Sequence, residues 1–182
     1  MEKFAFILHP LSLQDMEHLS PLMRYIPDPI IEACLKMKKP FKVSHITGIK
    51  SPYAEAEGWF IGCPLTAKQM VELPEEFVMD RIIESGKVAQ ELGAKIVGLG
   101  AFTSIVGDAG ITVAKNLDIA VTSGNSYTVA TAIQGTKQAA RMMGKDLKEC
   151  RAVVVGATGS IGAASVRLLA KEVKHITLVA RH

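Results

Sequence analysis

Residues 151–181, RAVVVGATGSIGAASVRLLAKEVKHITLVAR, decide how this chain folds. A β-branched run from Ala152 to Val155 is followed by a glycine turn, a helix-forming stretch and a second apolar run from Ile176 to Ala180, which together read as one βαβ unit. Gly156, Gly159 and Gly162 stand three apart. The first allows a tight turn, the second lets the backbone approach a pyrophosphate, and the third permits close packing of the helix on the strand. The helix then opens toward the phosphates with its unpaired amides. Glycine spacing alone is a weak signal, but here it directly follows a strand and opens a helix, as the mechanism demands. Contacts to a dinucleotide are expected from Gly156, Ala157, Thr158, Gly159, Ser160, Ile161 and Gly162. The hydroxyls of Thr158 and Ser160 either bond phosphate or merely suit the turn.

About twenty residues beyond the glycines, an NAD-binding chain places an acid that grips the ribose hydroxyls. Arg181 stands there instead. A guanidinium can hold a 2′-phosphate through a charge-assisted, often bidentate contact, whereas an acid would repel it, so NADP(H) is favoured over NAD(H). The competing reading makes Arg181 an exposed residue at the start of a loop. Residues 151–182 supply only the first βαβ unit of an NAD(P)-binding Rossmann fold, so the chain reads as an N-terminal fragment of a longer enzyme. The sheet edge left unpaired by such a truncation favours self-association, as a homo-oligomer or as an aggregate; the sequence leaves the oligomeric state open.

Working outward, Phe4–Leu8 reads as a buried strand, followed by a helix capped by Ser12 with Asp15 three residues on. Pro27 and Pro29 interrupt the chain before a short amphipathic helix that carries Ile30, Ile31, Cys34, Leu35 and Met37. Two β-rich runs, 41–49 and 58–65, flank a turn at Ser51-Pro52 with the acidic Glu55 and Glu57, and could pair as neighbours. A helical stripe over 75–92 stops at Gly93, and a strand resumes over 95–99. The runs IVGLGAFTS and IAVTSGNSYT both resemble the carboxyl ends of parallel strands, where ligands collect in open α/β sheets. Segment 107–116 is ambiguous between loop and helix, and a long helix is expected from Ser126 to about Met143. The organisation expected is an N-terminal α/β substrate domain over 1–125, a connecting helix over 126–150 and the partial Rossmann NADP(H)-binding domain over 151–182.

Candidate pocket residues are Thr103, Ser104, Asn125, Ser126 and Thr128, which follow strands and could meet a substrate carbonyl or a nicotinamide amide. Capping and turn formation compete evenly as explanations. Cys63 is either a reactive thiol near a cleft or a small core residue, with the core favoured; Cys34 and Cys150 read as packing and connection. Asp108 and Lys115 carry no acid–base assignment. Lys36, Lys38, Lys39 and Lys42 could steer an acidic carrier protein or CoA phosphates, although a solvated helix end explains them as well. The five histidines lack metal-ligand spacing, and no metal site is expected.

Composition narrows the function classes. With 48% apolar and 21% charged residues the chain is globular. A net charge of +3 and 5% aromatics argue against nucleic acid as a partner. No apolar stretch is long enough to span a membrane and the N-terminus lacks the form of a signal peptide, so a cytoplasmic location is expected. Three scattered cysteines make no disulfide framework.

The segments GLGAFTSIVGDAG, VTSGNSYTVATAI and VVVGATGSIG, taken in order with the N-terminal FAFILHP and the strand ending in Cys63, resemble the long-chain acyl-(acyl carrier protein) reductases and their shikimate-dehydrogenase-like relatives. The resemblance covers most of the chain. It implies NADPH-dependent reduction of a fatty acyl thioester, on acyl carrier protein or CoA, to an aldehyde through an acyl-cysteine intermediate. The family's nucleophilic cysteine lies after the Rossmann core, so no residue here inherits that role and the catalytic residues are unknown; the chain alone is expected to be inactive. One alternative is a shikimate-dehydrogenase-like NADP-dependent dehydrogenase of a small hydroxy acid, although the N-x-T-x-P-x-K segment is absent. The other is a non-catalytic nucleotide-binding module.

Overall fold

Alternation along Glu2–Leu8 (β1) turns Ala5 and Ile7 to one face of a sheet, where they are fully buried, and Phe4, Phe6 and Leu8 to the other. The computed structural model describes residues 1–16 and 21–181. It pairs β1 with Glu55–Gly62 (β3) on one side and Ile96–Leu99 (β4) on the other, both parallel. Phe41–Lys50 (β2) adds antiparallel to β3 and Ala120–Thr122 (β5) adds parallel to β4, for a sheet of order β2-β3-β1-β4-β5. The protein is thus a mixed α/β structure in which parallel pairing dominates.

The helices of this region are Asp28–Met37 (α1), Ala67–Glu72 (α2), Glu75–Glu91 (α3) and Ile111–Lys115 (α4). Val78, Ile82 and Ala89 of α3 pack with Ala5, Ile7, Ile61, Val97 and Leu99 into one core cluster. Each large aliphatic side chain buried there stabilises the fold by roughly 1.5–3 kcal/mol. On the opposite face aromatic rings lie where neighbouring strands carry no side chain: a Cβ on Gly58 would meet the Phe4 ring at 2.6 Å, and one on Gly98 the Phe6 ring at 2.6 Å.

The chain divides into two compact units, Met1–Ser123 and a second beginning at Gly124. The second contains Asn125–Met142 (α5), Arg151–Val155 (β6), Ser160–Leu169 (α6) and His175–Val179 (β7). β6 and β7 pair in parallel with Val155 opposite Val179. Val129 and Ile133 of α5 form a small core with Leu169, Val154, Ala164 and Ile176. Helix α5 therefore belongs to this unit's packing.

Several local expectations need correction. Two 3-10 turns, Leu13–Met16 and Pro21–Tyr25, stand where a helix was expected after Ser12, and the cap of the first is reversed: the Asp15 carboxylate accepts the amides of Leu11 at 2.8 Å and Ser12 at 3.0 Å. Residues 17–20 between them, with His18, lie outside the described residues, as does His182. Pro29 sits inside the first turn of α1, where a missing N–H costs nothing. Cys34 is exposed because Ile31 and Leu35 hold the buried stripe of α1. β3 begins at Glu55, earlier than its apolar run, because Glu57 is paired across the sheet with Lys3 at 3.3 Å and His45 at 3.2 Å. Helix α2, unexpected from the sequence, is fixed by a reciprocal cap between Thr66 and Gln69.

Candidate functional site

The glycine turn is built from the end of β6 upward. Gly156 adopts φ +77°, a left-handed conformation that suits glycine, and its amide and that of Ala157 donate to the Val179 carbonyl at 2.8 and 3.1 Å. The turn is thereby pinned to the end of β7. Gly159 donates to the Gly156 carbonyl at 3.0 Å and serves as the N-cap of α6 without a side-chain cap, so the first amides of that helix remain available. A Cβ at Gly162 would lie 2.0 Å from the Gly156 oxygen and 2.8 Å from its carbonyl carbon. Only glycine lets α6 sit this close to the turn. Ala157 is buried beneath it, whereas Thr158, Gly159, Ser160 and Ile161 are exposed.

Arg181 is exposed and lies two residues past Val179, at the same sheet end as the glycine turn, because β6 and β7 run parallel in register. The structure also brings Asn125 to this place: its Nδ2 donates to Ser160 Oγ at 2.9 Å. Ser126 is exposed in the first turn of α5. Thr128 Oγ1 donates to the Gly124 carbonyl at 3.2 Å, a local helical contact. Nothing in the glycine spacing signals the Asn125 contact, which links residues 35 apart.

Thr103 and Ser104 belong to the first unit, in the 3-10 turn Ala101–Ser104 after β4. Their hydroxyls donate within that turn, to the carbonyls of Gly100 and Ala101, each at 2.7 Å. Beside this turn the sequence reading missed His9, at the carboxyl end of β1. Its Nε2 accepts the Phe102 amide at 3.1 Å, so Nδ1, 3.0 Å from the Pro10 carbonyl, carries the proton of a neutral imidazole. Desolvation lowers the His9 pKa, partly opposed by the Pro10 carbonyl and Asp15. A histidine ending a buried strand was the available signal.

His9 lines a cleft of about 290 Å³ at the ends of β1 and β3, with Leu8, Leu35, Lys38, Phe41 and Cys63. Cys63 is fully buried and its thiol is pushed up to about 11, by burial above all and against a hydrogen bond with Ser85. Such a thiol is a poor nucleophile and packs as a small core residue. Of the basic residues near Pro40, Lys38 lies 4.1 Å from the Phe41 ring centroid and Lys36 5.5 Å from that of Phe77. No helix among the described residues is long and apolar enough to cross a membrane.

No protein-family model matches the chain. Over 128 residues it is 34% identical to the aminotransferase PigE of a Serratia species, a match spanning 70% of this chain and 14% of that protein. Over 183 residues it is 26% identical to the long-chain acyl-[acyl-carrier-protein] reductase of Synechococcus elongatus, spanning 91% of this chain and 51% of the reductase. The chain therefore spans about half or less of the curated relatives it matches. A solved structure of an aspartate racemase homologue from Pyrococcus horikoshii OT3 aligns over all of this chain and 65% of its own, at a TM-score of 0.42 and 14% identity, too loose a likeness to argue from. The likeness to the acyl reductase is distant.

Proposed function

We propose that this chain supplies the cofactor turn and a substrate-side α/β unit of an NADPH-dependent reductase, one that reduces a fatty acyl thioester, on acyl carrier protein or CoA, to an aldehyde. The observation that carries the reading is the packing of Gly162 against the Gly156 carbonyl, which leaves the amides of α6 open above a turn fixed to β7. Gly156 through Gly162 would hold the pyrophosphate and Arg181 the 2′-phosphate, in the manner of the first βαβ unit of a Rossmann domain. When bound, NADPH supplies hydride. The distant likeness to a long-chain acyl-[acyl-carrier-protein] reductase supports the thioester as substrate. In this reading Met1–Ser123 form the substrate side, and the unit that begins at Gly124, with α5 packed on its small core, opens the nucleotide domain. The dehydrogenase of a small hydroxy acid stands behind it, with no observation of its own.

Calorimetric titration with NADPH and NADH, on the wild type and on Arg181→Asp, tests the cofactor. NADPH is expected to bind the wild type more tightly than NADH, and the substitution to reverse or abolish the preference, by about tenfold or more for the loss of a charge-assisted contact. Equal binding of the two nucleotides, unaffected by the substitution, would defeat the assignment of Arg181.

A further inference from the structure

We infer that Asn125 is a positioning residue that aims the Ser160 hydroxyl at the pyrophosphate; this rests on the proposed dinucleotide reading. Ser160 opens α6 directly after Gly159, so its hydroxyl is not spent as a helix cap. A serine hydroxyl carries one donor and two acceptor lone pairs. Asn125 Nδ2, which has only hydrogens to offer, fills one of those lone pairs at 2.9 Å. The serine proton cannot point back at that donor. It is left to donate elsewhere, on the exposed side of the turn where the α6 amides also open. Donation into the oxygen further polarises the O–H for a bond to an oxyanion.

Asn125 is itself held in place. It begins α5 just after Gly124, whose φ is +74°, and α5 is packed on the unit's core through Val129 and Ile133. The chain thus brings a side chain from outside the βαβ segment to set the polarity of one hydroxyl inside it. A phosphate oxyanion is the ligand chemistry this arrangement suits, since such a group accepts and cannot donate.

The experiment titrates the full 182-residue chain, as wild type, Asn125→Ala, Ser160→Ala and the double variant, with NADPH and with adenosine 2′-monophosphate, which lacks the pyrophosphate. Each single substitution is expected to weaken NADPH about tenfold, the double to be no weaker than Ser160→Ala, and adenosine 2′-monophosphate to bind all four alike. Asn125→Asp keeps the side-chain shape and an acid favoured at a helix start, so it folds. Its carboxylate only accepts and would draw the serine proton to itself, so NADPH should weaken more than with alanine. Losses that add, equal losses for both ligands, or wild-type NADPH binding by Asn125→Ala would overturn the inference alone. A wild type that binds no NADPH would overturn the cofactor reading and the inference with it.

Discussion

Replacing Gly162 by alanine sets two effects of opposite sign against each other. In a helix the change should gain about 1 kcal/mol, the difference in intrinsic propensity. Here the new Cβ would stand 2.0 Å from the Gly156 oxygen, whereas a real Cβ keeps its neighbours beyond 3.0 Å, so α6 or the turn must move by 3.0 − 2.0, about 1 Å. The turn is tied to β7 by two hydrogen bonds and α6 to the small core by Leu169, so neither moves freely. Overpacking of this kind costs about 1–3 kcal/mol, which offsets the propensity gain and leaves a net loss of up to about 2 kcal/mol. Gly135 provides the control, since it lies within α5 and a Cβ there meets nothing within 4 Å. Gly135→Ala should therefore stabilise by about 1 kcal/mol. Urea unfolding followed by far-ultraviolet circular dichroism measures both, and Gly162→Ala should fall at least about 1 kcal/mol below Gly135→Ala. A Gly162→Ala protein stabilised as much as Gly135→Ala would refute the close-packing argument.

Two further outcomes follow from the first unit. Because the His9 pKa is lowered from 6.5, folding disfavours its protonation: the stability it contributes is complete above pH 6.5 and is lost as pH falls through the lower folded value. The urea midpoint should drop between pH 7.5 and 5 more steeply for the wild type than for His9→Gln, and parallel curves would remove His9 as the cause. Cys63, with its thiol near 11, holds about one thiolate per thousand molecules at pH 8, whereas Cys34 is exposed. Alkylation of the native protein followed by peptide mapping should therefore mark Cys34 within minutes and spare Cys63 until denaturant is added; early modification of Cys63 would contradict its burial.

The sequence alone determined those features whose signal is local. A short apolar run marked β1, a 3.6-residue stripe ended by Gly93 marked α3, and the glycine triplet between two apolar runs marked the βαβ unit, because each follows from neighbours a few residues apart. Tertiary structure decided what depends on residues distant in the chain. Glu57 entered β3 because Lys3 and His45 lie across the sheet from it. Cys34 turned to solvent because Ile31 and Leu35 took the buried stripe. The partner of His9 is an amide 93 residues away, and Asn125 reaches Ser160 across 35. Hydrogen bonds of that span are fixed by how strands and helices stack, which spacing along one chain does not encode.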